Sequence, residues 1–138
     1  QVMADCTVLF PTTGPTLRTL EDQGLSLGIV STKTRRRIVS ILEREGLAGH
    51  FEVIVGRGEV SIHKPDPRGL LLAAEHLGYA PSEVLYVGDS VIDAEAAQRG
   101  NMSFVAVLSG VTPREAFTDY ATVAVIDTLN ELPVVLAK

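Results

Sequence analysis

Apolar and polar positions follow two rhythms along this chain. Short apolar runs at Leu27 to Val30, Val53 to Val55, Val84 to Val87, Phe104 to Leu108 and Val123 to Ile126 read as strands. Amphipathic stretches lie between them. Leu17 and Leu20, with the polar Arg18, Glu21 and Asp22, predict a helix stopped by Gly24. Ile38, Val39, Ile41 and Leu42 predict a second, stopped by Gly46; Leu70 to Leu77 a third, stopped by Gly78; Ala94 to Arg99 a fourth, stopped by Gly100. A glycine just past each helix is the expected C-terminal signal. Pro81 and Ser82 start a short turn, and Thr112-Pro113 opens a short helix. This alternation predicts an α/β fold, an open parallel sheet with helices on both faces. Ligands in such sheets bind at the carboxyl ends of the strands, so the strand-end residues are the ones to read for chemistry.

The 138 residues suit one domain, 1–138, with no internal repeat, low-complexity tract or second domain. Aromatic residues are few and Trp is absent, so Val, Leu, Ile and Ala must fill the core, as in a buried parallel sheet. The net charge of -5 argues against general binding to nucleic acid or to an anionic membrane. Small phosphorylated ligands need only local positive groups and stay open as partners. The one cysteine, Cys6, excludes an intrachain disulfide and fits a cytoplasmic setting; it reads as a small buried hydrophobe. No apolar run approaches the roughly 18 residues of a membrane span, and no signal-peptide pattern is visible. The chain starts at Gln1, which fits a processed or truncated product.

Three strand ends carry candidate chemistry. The first strand runs into Ser31-Thr32-Lys33-Thr34, where a hydroxyl and helix-start N–H groups can hold a phosphate oxygen; a plain helix cap by Ser31, Thr32 or Thr34 is the competing reading. The second is followed by Gly56-Arg57-Gly58 and then His63-Lys64-Pro65-Asp66-Pro67. Prolines flanking Asp66 make a stiff connection that can fix where Lys64 points, and a fixed ammonium beside a phosphate neutralises charge in a transition state. A surface lysine in a proline-rich turn is the alternative. The third strand ends in Gly88-Asp89-Ser90-Val91-Ile92-Asp93. Asp89 and Asp93, four residues apart, can face one point, and two hard oxygen ligands suit Mg²⁺. Capping by Asp89 or Ser90 explains one acid well and the pair less well. Ser109-Gly110 has a minor role at the rim. His50 and His76 read as surface or boundary residues, His63 as local structure, and Arg35 to Arg37 as a solvated helix face.

Taken together, the order of Ser31, then Lys64 in HKPDP, then Asp89 and Asp93 in VGDSVIDA resembles the haloacid dehalogenase superfamily, with phosphoglycolate- and pyrophosphate-phosphatase-like members nearest. The resemblance covers about Leu9 to Leu132. It implies a Rossmann-like core in which Ser31, with Thr32 beside it, binds the phosphoryl group and Lys64 balances the charge of nucleophile and phosphate. Asp89 would ligate Mg²⁺, with Asp93 supporting it directly or through water. The implied reaction is phosphoryl transfer from a phosphate ester to an aspartate, followed by hydrolysis.

The departure concerns the first strand. The family pattern opens with a strand ending in Asp-x-Asp-x-Thr, the first Asp being the nucleophile, and a helical cap domain often follows. No Asp-x-Asp occurs in this sequence, and no cap domain is recognisable. Asp5, in Ala4-Asp5-Cys6-Thr7, reads as a solvated acid. In one reading, Leu9-Phe10-Pro11 resembles the junction where the cap domain returns to the core, with the true first strand upstream. In the other, Thr7 to Phe10 is itself the first strand, and Pro11 and Thr13 stand in place of both acids. The first is preferred. Either leaves a gap beside the Ser31 strand, and unpaired inner edges are costly. Cys6 to Phe10, or a segment of another chain through strand exchange or a homo-oligomer, is expected to fill it.

Two functions follow. One is a phosphatase of small phosphomonoesters, inactive as this chain alone because the nucleophile is missing. The other is a non-catalytic phosphate- and Mg²⁺-binding remnant or interaction protein. A two-component receiver domain also uses acids, Ser/Thr and Lys-Pro near a phosphate, but its acid cluster follows the first strand and its Lys-Pro comes last. Here Lys64-Pro65 precedes the Asp89 pair.

Overall fold

The apolar runs become a sheet and the amphipathic stretches its two covering layers. A computed structural model describes residues 2–4, 13–59, 64–108 and 112–136. The elements are β1 (Val2–Ala4), α1 (Thr13–Asp22), β2 (Leu27–Thr34), α2 (Arg35–Arg44), β3 (Val53–Arg57), α3 (Arg68–Leu77), β4 (Leu85–Gly88), α4 (Val91–Arg99), β5 (Ser103–Val107), β6 (Ala124–Ile126) and α5 (Leu132–Leu136). Short 3-10 turns at Pro81–Glu83 and Arg114–Phe117 stand where the proline signals predict them.

The six strands are parallel, in the order β3-β2-β1-β4-β5-β6. The chain winds outward from β1 to β3, crosses back to β4 beside β1, and winds outward again. The reversal point of such a sheet, between β1 and β4, is where an α/β fold opens a crevice for ligand.

Successive side chains on a strand point to opposite faces, and the core divides accordingly. Leu85, Val87, Val105 and Val107 join Leu17, Leu20, Ile38, Leu42 and Leu132 on the face covered by α1, α2 and α5. Tyr86, Phe104 and Ala106 join Leu70, Ala73, Ala74, Ala94, Ala96 and Ala97 on the face covered by α3 and α4. Phe104 fills the space between Tyr86 and Phe117, with ring centroids 6.3 and 6.2 Å away. Among the described residues no helix is long and apolar enough to cross a membrane.

One expectation changes. The central position between β2 and β4 is filled by this chain's own Val2–Ala4, with Ala4 opposite Ile29 on one side and Val87 on the other. Cys6 to Phe10, expected there, lie outside the described residues, as do Asp5, Pro11 and Thr12. Thr13 opens α1, so it does not sit at the end of a central strand. The helices stop at the predicted glycines, Gly100 being the C-cap of α4, but the backbone there differs. Gly24, Gly46 and Gly78 take φ of 84°, 70° and 83°, but Gly100 has φ -88° and the left-handed residue is Asn101 at φ 59°. Gly100 is small for a different reason: a Cβ there would stand 3.2 Å from Pro67 Cβ and 3.3 Å from Ala96 O. Asn tolerates the left-handed region better than other residues with a Cβ. Asn101→Ala should therefore lower stability by about 1 kcal/mol, whereas Asn101→Gly should not; urea denaturation of the two variants checks this.

Candidate active site

The carboxyl end of β2 shows how the hydroxyls divide their work. Thr34 caps α2, its Oγ1 accepting from Arg37 N at 3.3 Å. Ser31 lies within β2, is buried, and its Oγ accepts from Lys33 N at 3.2 Å. The capping explanation thus belongs to Thr34 and not to Ser31. Thr32 beside it is exposed.

Gly56 lets the end of β3 press against this turn, because a Cβ there would lie 2.7 Å from Arg35 N and 2.9 Å from Lys33 O. Arg35 then reaches back to β3, donating to Ile54 O at 2.7 Å and Glu59 Oε1 at 3.1 Å. It works as a strap between α2 and β3. Arg36 and Arg37 are exposed, as expected for a solvated face.

The HKPDP segment divides similarly. Asp66 Oδ1 accepts from Arg68 N at 3.0 Å at the start of α3, and the Lys64–Pro65 peptide is cis. Lys64 turns inward. Its side chain is 6% exposed, and its Nζ donates to Asp93 Oδ1 at 2.6 Å and to Tyr86 Oη at 2.9 Å. The surface-lysine alternative does not describe it. His63, Ser109 and Gly110 lie outside the described residues.

At the end of β4, Ser90 is the helix cap. Its Oγ accepts from Asp93 N at 3.2 Å, and Asp93 Oδ2 accepts in return from Ser90 N at 3.3 Å and Ser90 Oγ at 3.1 Å. Asp89 N donates to the same oxygen at 3.1 Å. Each arm of the Asp93 carboxylate is thus engaged, Oδ1 by Lys64 and Oδ2 by the α4 N-terminus. Asp93 is almost fully buried. Asp93, expected to support a metal beside Asp89 directly or through water, is also the counter-ion of Lys64. The i, i+4 spacing turns Asp93 back under the first turn of α4, where N–H groups and the helix dipole favour an anion. Asp89 is half-buried at the strand end, and its carboxylate accepts no hydrogen bond from the described residues. Gly88 makes the fold-back possible, since a Cβ there would lie 2.5 Å from both Cβ and Oδ2 of Asp93.

Tyr86 is the site residue that sequence reasoning missed. It is fully buried, and its hydroxyl lies 3.3 Å from Asp93 Oδ1 and 3.4 Å from Val30 O as well as accepting from Lys64. A tyrosine inside an otherwise aliphatic strand was the available signal, because a buried phenol needs a polar partner.

The segments that carry this cluster are those a known family shares. Its profile, described as haloacid dehalogenase-like hydrolase, matches residues 2–107. The chain belongs to the haloacid dehalogenase-like hydrolase family. Relatives at this level of similarity include phosphoglycolate phosphatases of Salmonella typhimurium and Escherichia coli, 36% and 35% identical over 132 residues. Those alignments take in 96% of this chain and 52% of each relative, so the chain spans about half the length of the curated relatives it matches. Among solved structures, a haloacid dehalogenase-like hydrolase from Bacteroides fragilis superposes with a TM-score of 0.86 at 47% identity, over 90% of this chain and 59% of that one. A haloacid dehalogenase phosphatase from Thermococcus onnurineus gives 0.82 at 33%, over 93% and 58%. The Rossmann-like core of the family is therefore the fold of this chain.

Within this haloacid dehalogenase-like core the Lys64–Asp93 pair sets a clear energetic condition. Removing one partner of a buried pair leaves the other charge uncompensated. Lys64→Met should destabilise the fold by roughly 3–5 kcal/mol, and chemical denaturation reads this directly. Gly88→Ala should cost roughly 1–3 kcal/mol by driving a methyl into the Asp93 carboxylate; the same denaturation series checks it.

Proposed function

We propose that this chain is the phosphate- and Mg²⁺-binding core of a phosphatase acting on small phosphomonoesters, and that by itself it does not turn over. The observation that carries this reading is the buried Lys64 ammonium, tied to the ends of both β2 and β4 through Tyr86 and Asp93. A cation held on fixed acceptors in a poorly solvated site needs little reorganisation to meet a phosphate. The phosphoglycolate phosphatase names of the relatives support a small, anionic phosphate ester as the partner of the whole protein.

In this reading the Ser31 hydroxyl donates to a phosphoryl oxygen, and Thr32, on the exposed side, lines the same oxygen's approach. Lys64 offsets the charge of the bound phosphate. Mg²⁺ usually takes one or two carboxylates, the rest of its shell being water and phosphate oxygen. Among the described residues no group of three or more His, Cys, Asp or Glu side chains could hold a metal alone. The fit is to Asp89 as a single protein ligand: its carboxylate is half-buried and accepts no hydrogen bond from the described residues. Bound there, Mg²⁺ would supply charge neutralisation at the phosphoryl oxygens.

What is missing is an attacking group. The sequence contains no Asp-x-Asp, and positioning a phosphate without a nucleophile leaves the P–O bond intact. The same absence favours the second reading, a module that binds phosphate without turnover.

Two measurements test this. Incubation of the chain with 4-nitrophenyl phosphate and Mg²⁺ should release no nitrophenol above the blank; turnover that Asp89→Asn abolishes would overturn the inactive assignment. Titration with inorganic phosphate should show binding that Ser31→Ala weakens by about three- to tenfold, the worth of one hydrogen bond.

A further inference from the structure

A lysine ammonium has three N–H donors, so where it points depends on what holds it. For Lys64 the obvious holder is Asp93, at 2.6 Å. One carboxylate oxygen fixes only one of the three N–H directions. A second contact, at 2.9 Å, is the Tyr86 hydroxyl. Two fixed acceptors on two different elements, β4 and α4, determine the directions of the remaining bonds as well.

Tyr86 has no need of its hydroxyl for packing. Its ring is fully buried against Phe104, and the strand around it, Leu85 to Gly88, is otherwise apolar. Phenylalanine would fill this volume. A buried hydroxyl costs free energy unless it is hydrogen-bonded, so its presence is explained by what it touches. The oxygen accepts from Lys64, and its single proton stands between two acceptors, Asp93 Oδ1 at 3.3 Å and Val30 O at 3.4 Å. Val30 directly precedes Ser31. Tyr86 therefore joins the strand that carries Ser31 to the loop that carries Lys64 and the helix that carries Asp93.

We infer that Tyr86 is a positioning residue: its hydroxyl fixes the Lys64 ammonium relative to Ser31, so that both meet the same phosphate. This rests on the phosphate reading above. The measurement is ¹⁵N NMR of the lysine ammonium groups in the whole chain, with Lys64 assigned by the signal lost in Lys64→Arg. Unmodified protein should show a Lys64 ammonium in slow exchange with water. Tyr86→Phe should speed that exchange by about tenfold, as one hydrogen bond is lost, and should weaken inorganic phosphate binding by about threefold. Tyr120→Phe, at a partly buried tyrosine just after the Arg114–Phe117 turn, should change neither. A hydroxyl with a merely structural role would lower the melting temperature of Tyr86→Phe while leaving the ammonium signal unmoved, and that result overturns the inference.

Should Tyr86→Phe fail to fold, the unmodified chain still decides: a protected Tyr86 hydroxyl proton with cross-relaxation to the Lys64 ammonium is expected, and its absence overturns the inference. The phosphate reading fails separately. If phosphate shifts neither Lys64 nor Ser31 in unmodified protein, that reading falls, and the claim that Tyr86 aligns the two on a phosphate falls with it. The ammonium exchange rate still measures the mechanical link.

Discussion

A parallel sheet covered on both faces offers its inner strands no water, so each backbone N–H and C=O inside it must find a partner on a neighbouring strand. In this chain that condition is met at the centre by three residues. Val2–Ala4 pair with Leu27 to Ile29 on one side and with Leu85 to Val87 on the other. Without them the β3-β2 pair and the β4-β5-β6 group would be separate sheets with open inner edges. The two halves carry different parts of the site: Ser31 belongs to the first, and Tyr86, Asp89 and Asp93 to the second. A side chain adds a further link, the Tyr86 hydroxyl reaching Val30 O on β2. Sheet continuity and site geometry are thus one mechanical problem, met by backbone pairing lower down and by a phenol at the carboxyl edge.

The charged residues obey a second condition, that a buried ion needs compensation. Such pairs stabilise folds weakly, because desolvating both ions offsets much of their attraction. What the Lys64–Asp93 pair provides is a defined place for a cation at the strand ends. Asp93 meets its own cost through several roles at once: counter-ion to Lys64, acceptor for Asp89 N and Ser90 N, and third residue of the capping box on α4. Gly88 belongs to the same device, since only a residue without Cβ leaves room for the folded-back carboxylate. Asp89 and Asp93 look alike in sequence but stand in opposite circumstances, one carboxylate fully engaged and the other accepting nothing from the described residues.

In the proposed reading, holding a phosphate and attacking it are separable tasks. Compensated charge, a buried serine and a half-exposed carboxylate are assembled from β2, the β3–α3 connection and the β4–α4 junction. The attacking aspartate in the family's pattern comes at the end of a strand motif that this sequence does not contain. The chain spans about half of its curated relatives' length, and the segments it shares with them carry Ser31, Lys64, Asp89 and Asp93.

Much was decided locally and was legible as such. Among the described residues, apolar runs and helical periodicity mark five of the six strands and the first four helices, because burial on one or both faces dictates which positions must be apolar. The rule that ligands meet strand ends selected Ser31, Lys64 and Asp89 for inspection, and the order of motifs pointed to the family. The tertiary structure alone decided which segment fills the sheet centre, since a three-residue strand has no periodicity to read. It alone decided that Thr34 and not Ser31 caps α2, that Gly100 is small because of Pro67 and Ala96, and that Asp93 turns toward Lys64. It alone revealed Tyr86. The physical reason is shared. These outcomes rest on contacts between residues distant in sequence, 29 apart for Lys64 and Asp93 and 56 apart for Tyr86 and Val30, and no local pattern encodes a distance that exists only once the sheet has closed.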